Sequence, residues 1–272
     1  MKNSIALLIV STLSLLLGAC GGGDTSIGIG TGGGSGGGGT TQAPLPAGVF
    51  SSTSMVNARQ HLAVILPSNS SIHSLFWIYS GTSSQISNGA DGLIVGSLDV
   101  TGNNSSGTFD VIAPTSFDLA AGTNPTVAFD QNGYASNSIS GKFTLDGVGP
   151  SLYQLPRLTL VDQDVASFNA SYTGSLRSDL VPQTTGVAVT LTGNIISGSD
   201  GAGCDFTGSL TDTLTYGVYL LTISSSTGNC AGNDSKSRTG VAVIYNGTLY
   251  LALAEATLAG VTPTTAAVFV GH

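Results

Sequence analysis

Val241-Ala-Val-Ile-Tyr-Asn-Gly-Thr-Leu-Tyr-Leu251 is the stretch whose reading decides the fold. Its β-branched and aromatic residues favour extended backbone, and Asn246-Gly247 tolerates the positive φ angles of a type I′ turn. A two-residue loop there predicts a hairpin. Ile244 falls opposite Leu249 and Ala242 opposite Leu251 on one face; Tyr245 falls opposite Thr248 and Val243 opposite Tyr250 on the other. Good helix formers follow, from Leu251 to Gly260. The turn sets the register of the first half, so strand is the expectation there, with a short helix near 255–259 as the alternative.

The same texture spreads outward in both directions. Short runs rich in Val, Ile, Thr, Tyr and Phe lie between Gly, Asn, Asp and Ser clusters, at 61–66, 75–79, 92–100, 108–112, 126–129, 138–145, 157–161, 168–176, 186–191, 204–210, 218–223, 240–245, 248–253 and 265–270. A run roughly every 10–14 residues suits an antiparallel sandwich or barrel. Asn88-Gly89 and Asn132-Gly133 are weaker turn signals of the same kind. Gly48-Val-Phe50 followed by Leu62-Ala-Val-Ile-Leu66 is echoed by Ala170-Ser-Tyr172 followed by Val187-Ala-Val-Thr-Leu191. The expected fold is therefore all-β, with antiparallel strands forming two barrel- or sandwich-like units at 47–165 and 166–272. One large barrel or sandwich is the alternative.

Of 272 residues 39 are Gly, and only 8% are charged, against about 25% in an ordinary soluble domain. Seven basic residues against fifteen acidic ones give a net charge of -8, which argues against a nucleic-acid partner. The glycines keep no three-residue period, which excludes collagen. A 41% apolar content excludes wholesale disorder. Twelve glycines fall between positions 21 and 39. Residues 20–46 therefore read as a flexible, disordered tether of about 28 Å end to end, stiffened at Pro44 and Pro46. Within it, G-x-G-x-x-G at 28–33 and G-x-S-x-G at 33–37 lack the strand and helix that would give either motif meaning.

Ahead of the tether, Lys2 precedes a mostly apolar run over 4–17. A membrane-spanning helix needs about 20 residues, whereas the apolar part of a signal peptide needs roughly 7–15. The run ends in Leu17-Gly18-Ala19-Cys20, which resembles the lipobox of bacterial lipoproteins. The resemblance implies a signal peptide over 1–19, diacylglycerylation of the Cys20 sulfur, and cleavage just before Cys20. Acylation of the new amino group by a chain such as palmitate usually follows. Several acyl chains make a stable anchor where one is marginal. Gly21, where the enterobacterial retention signal has Asp, leans toward the outer membrane. With its Gly-rich linker and β texture the chain is also similar to Gram-negative surface lipoproteins, and weakly to the β-barrel lobes of the transferrin-binding group. None of that group's binding loops is recognisable here.

Catalytic signatures are missing. His61, His73 and His272 have no metal-ligand spacing, and the 14 Asp residues mostly sit where Asp makes turns. Asp162-Gln163-Asp164 lacks the longer ligand series of a calcium loop. The expectation is no enzyme, no metal and no cofactor. Phe76-Trp77-Ile78-Tyr79 is the one dense aromatic patch. His73, Trp77 and Tyr79 are the speculative ligand-binding residues, and packing on both strand faces is the alternative. Lipidation of Cys20 leaves Cys204 and Cys230, an even count that predicts a disulfide in an oxidising compartment. The functional expectation is a lipid-anchored envelope protein with a binding, adhesion or structural role, its one named partner the membrane. A small-ligand carrier with an apolar barrel cavity is second, and a hydrolase on a β scaffold third.

Overall fold

A computed structural model describes residues 47–52, 59–67, 72–81, 83–101, 104–112, 126–135, 137–145, 148–178, 184–199, 204–213, 215, 217–228, 238–255 and 266–272. The expected signal peptide and tether lie outside them, as do residues 256–259 of the alternative short helix.

The fold is all-β, in two eight-stranded antiparallel meanders. The first sheet runs β1 (Gly48–Ser51), β2 (His61–Pro67), β3 (Ile72–Tyr79), β4 (Gly92–Thr101), β5 (Asn104–Ile112), β6 (Thr126–Ala135), β7 (Ser138–Leu145) and β8 (Val148–Pro156). The second runs β9 (Asn169–Ser178), β10 (Thr184–Thr192), β11 (Ile195–Ser199), β12 (Cys204–Asp212), β13 (Val218–Gly228), β14 (Arg238–Tyr245), β15 (Thr248–Glu255) and β16 (Ala266–Gly271). It closes into a barrel, because β16 pairs back on β9 from Ala267 opposite Ser178 to Gly271 opposite Gly174. Among the described residues the helical content is two single 3-10 turns, Ile86–Asn88 and Val165–Ser167.

The β14–β15 hairpin has the register its sequence predicts, with Ile244 opposite Leu249 and Val243 opposite Tyr250. Asn246 and Gly247 take φ angles of 50° and 76°, the left-handed pair a type I′ turn requires. Alternation then sends Ala242, Leu249, Leu251 and Leu253 into the barrel and Val241, Val243, Tyr250 and Ala252 to its outer wall.

That outer wall is as apolar as the inside because the first sheet covers it. Val218, Val241, Val243, Tyr250, Val268 and Val270 of the barrel share one core with Val49, Leu62, Val64, Ile78 and Leu93 of the first sheet. The opposite face of the first sheet is buried too: Phe50, Ala63, Ile65, Leu75, Trp77, Ile94, Ile139 and Leu155 are all at most 1% exposed. Its strands curl far enough that Trp77 on β3 meets Tyr153 on β8 edge-to-face, centroids 5.0 Å apart. Among the described residues β1 meets the chain just past β8 at one bridge, Phe50 opposite Arg157, and at Leu158 N–H donating to the Val49 carbonyl at 2.8 Å.

Some local expectations give way. The 157–161 run, read as a strand, is instead the connection between the meanders, and the eighth strand is Val148–Pro156. Gly149 and Pro150 masked that strand in the sequence, although proline is tolerated near a strand start. Leu158 and Leu160 alternate because both pack on the shared core. Asn132-Gly133 lies inside β6, where the β6–β7 register slips, rather than at a hairpin turn. Asn88-Gly89 ends a 3-10 turn. The short β11, Ile-Ile-Ser-Gly-Ser, carries too little apolar content to stand out.

Candidate functional site

Trp77 and Tyr79 sit on the inward face of β3, and each is 1% exposed. The Trp77 indole N–H donates to Nδ1 of His61 at 2.9 Å, and the two rings meet edge-on at 5.7 Å. With Nδ1 accepting, neutral His61 carries its proton on Nε2. The strand-edge position of His61 reads as solvated or capping, yet the side chain is 0% exposed, because the Ser52 hydroxyl accepts its backbone N–H and the indole takes its ring nitrogen. Both predicted aromatics are thus committed to packing. Ile78, on the other face, packs into the core shared with the barrel. His73 stands in β3 opposite Pro67 and Leu98, its side chain outside the described part. Cys20 and Cys230 also lie outside the described residues. Cys204 opens β12 opposite Gly228.

The barrel interior is filled by its own side chains. Tyr172, Val189, Leu191, Ile196, Leu210, Tyr219, Leu221, Leu251 and Phe269 are all buried there. One mouth is stoppered by the connection between the meanders. Asp164 caps the 3-10 turn by accepting the Ala166 N–H at 2.9 Å, and Phe168 packs edge-to-face on Tyr219 at 5.0 Å. The Tyr219 hydroxyl donates to the Gln163 carbonyl at 3.0 Å and accepts the Gln163 N–H at 3.1 Å. Burial pushes the Tyr219 phenol above its usual value; the Gln163 hydrogen bond opposes this, and the nearby Asp162 and Asp212 charges add to it. Asp162 accepts the Gly217 N–H at 3.3 Å. Both aspartates of the suspected calcium tripeptide therefore hold backbone. Among the described residues no group of three or more His, Cys, Asp or Glu side chains is placed to hold a metal ion.

Sequence reasoning missed two features at the junction. Asp91, just before β4, takes Arg177 of β9 on Oδ1 and Arg59 on Oδ2 at 3.6 Å. Arg59 also donates to the Ser80 carbonyl at 2.8 Å and lies 5.6 Å from the centre of the Tyr79 ring. The first sheet and the barrel are thus tied by charge as well as by core. His272 adds a hydrogen-bonded tie, with Nδ1 at 2.9 Å from the Thr248 hydroxyl and Nε2 at 2.8 Å from the Ser87 carbonyl. The second feature is an open cavity of about 310 Å³ where β1, the β6–β7 turn, the 157–160 connection and the β12–β13 turn converge. Val49, Leu158 and Leu160 give it apolar walls; Arg157, Asn137 and Thr215 give it polar ones. A signal for neither was available, since each joins residues far apart in the chain.

No protein-family model, no curated protein and no solved structure matches this chain.

Proposed function

We propose that this is a lipid-anchored lipoprotein of the bacterial cell envelope, held at the outer membrane, with a non-enzymatic role in binding, adhesion or envelope structure. The observation that carries the reading is the packed barrel. A carrier of apolar ligands needs an interior void, and Leu191, Leu210, Tyr219, Leu251 and Phe269 occupy that space. Partner contact is then left to outer surfaces and connections, as in a display or adhesion module. In an up-and-down meander, the β9–β10, β11–β12, β13–β14 and β15–β16 connections all leave from one rim, opposite the mouth stoppered by Phe168.

The anchor rests on Leu17-Gly18-Ala19-Cys20, and the oxidising compartment on a Cys204–Cys230 disulfide. What supports that pairing is the even count left once Cys20 is lipidated and a register that puts Cys204 opposite Gly228, two residues before Cys230.

Cys20→Ser tests the anchor. The wild-type chain should fractionate with membranes and carry acyl mass, and the variant should be released without it. A wild-type chain free of acyl mass, or a variant that stays acylated and membrane-bound, would overturn the proposal.

A further inference from the structure

Thr215 stands on the wall of the junction cavity and is only 8% exposed. Both of its backbone groups are occupied. Its N–H donates to the Thr213 hydroxyl at 3.0 Å, and its carbonyl accepts the Val218 N–H at 3.1 Å. Its own hydroxyl makes no hydrogen bond among the described residues. A hydroxyl enclosed in this way is unfavourable unless water or an occupant bonds to it.

The apolar part of the wall is fixed by the fold. Val49 is buried in the core that the two meanders share, and Leu158 and Leu160 pack against that core. The Leu158 N–H donates to the Val49 carbonyl at 2.8 Å. Leu160 lies on Gly217 of the β12–β13 turn, where any Cβ would collide with it. The volume of about 310 Å³ lies at the small end of the roughly 300–1,000 Å³ typical of small-molecule sites. Arg157 also lines the cavity but already has a partner, and among the described residues the wall carries no carboxylate. A charged occupant would therefore lose its water without gaining a counter-ion.

We infer that this cavity binds a small uncharged amphiphile, a single aliphatic chain ending in one hydroxyl or carbonyl group. The polar end bonds to the Thr215 hydroxyl, and the chain lies against Val49, Leu158 and Leu160. A threonine hydroxyl both donates and accepts, so it takes either end group. The volume admits one medium-length chain and is too small for a diacyl lipid. Because the walls come from both meanders and the connection between them, an occupant also braces their junction. The site is independent of the anchoring proposal.

The test uses the full-length chain carrying Cys20→Ser, purified without detergent, with octanol, octanoate and octylamine as probes. Calorimetry and ligand-observed NMR measure binding, and a thermal melt of each variant checks folding. Octanol should bind more tightly than either charged probe and should raise the melting temperature. Thr215→Val keeps the shape and removes the hydroxyl, and should weaken octanol about three- to tenfold. Thr215→Ser, which keeps the hydroxyl, should retain it. Thr159→Trp places a large ring on an exposed wall of the cavity and should abolish octanol binding. Absence of octanol binding, a charged probe bound as tightly as octanol, octanol binding untouched by Thr159→Trp, or equal octanol affinity with Val or Thr at 215 would each overturn the inference. If Thr215→Val fails to fold, the ranking of the three probes and the block by Thr159→Trp decide.

Discussion

Trp77 Nε1 donates to His61 Nδ1 across 2.9 Å, from neighbouring strands and with both side chains out of contact with water. Removing the indole would leave a cavity and strip a buried ring nitrogen of its donor. Trp77→Phe should therefore cost about 2–4 kcal/mol. In the double variant with His61→Leu the losses should be less than additive, since the orphaned acceptor goes too. Denaturant melts of the four proteins read this directly, and strict additivity would show that the bond contributes nothing.

Trp77 is also the chain's only tryptophan, so its fluorescence reports the first sheet alone. Val49, Leu62, Val64 and Leu93 share a core with Val241, Val243 and Tyr250, and residues from Thr41 to His272 form one compact unit. The fluorescence transition should thus coincide with the far-UV circular dichroism transition, which follows all sixteen strands. Two separate midpoints would mean that the shared core does not couple the sheets.

Asp91 sits between Arg177 and Arg59, with 32% of its side chain exposed against 12% and 14% for the two arginines. Asp91→Ala leaves two close guanidinium groups without their shared carboxylate. A loss of about 1–3 kcal/mol is expected, less than for a fully buried pair because water reaches the carboxylate. Adding Arg177→Met should recover part of it. A melting temperature unmoved by Asp91→Ala would reduce the cluster to a surface contact.

Burial raises the phenol values of Tyr172, Tyr219 and Tyr250 above the ordinary 10.0. The folded chain thus holds phenol protons that the unfolded chain releases. This contribution is complete below pH 10.0 and is lost as pH rises from there through the folded-state values. Melting temperature should fall progressively above about pH 10, the unfolded-state phenol value. Tyr219→Phe should shrink that slope, at a cost of about 1 kcal/mol at neutral pH for its bonds to Gln163. A slope unaffected by the substitution would place the alkaline sensitivity elsewhere.

Local order was legible where a chain contact is short in sequence. Asn246-Gly247 fixes β14 against β15, and the alternation of Phe76, Trp77, Ile78 and Tyr79 assigns their faces. Closure was not legible, because β16 finds β9 across the whole second meander and no local pattern encodes a partner. Val241 and Val243 show that β14 is buried on both faces, but nothing in their order says that a second sheet supplies the cover. Asp91 and Arg177 stand 86 positions apart. The cavity wall draws on segments from Gly48 to Thr215. Sites assembled at a junction between two meanders have no linear motif.

The closed barrel also bears on how copies of this chain coexist at high local density. A net charge of -8 repels copies of the chain at a distance, but it does not by itself protect an open strand edge at contact. Free strand edges are the usual template for mutual adhesion, and the pairing of β16 with β9 removes them from the second meander. In the first, β1 is joined to the residue just past β8 by the Phe50–Arg157 bridge. Resistance to strand-to-strand clumping therefore rests on edge closure as well as on charge, and that bridge is where such clumping would begin.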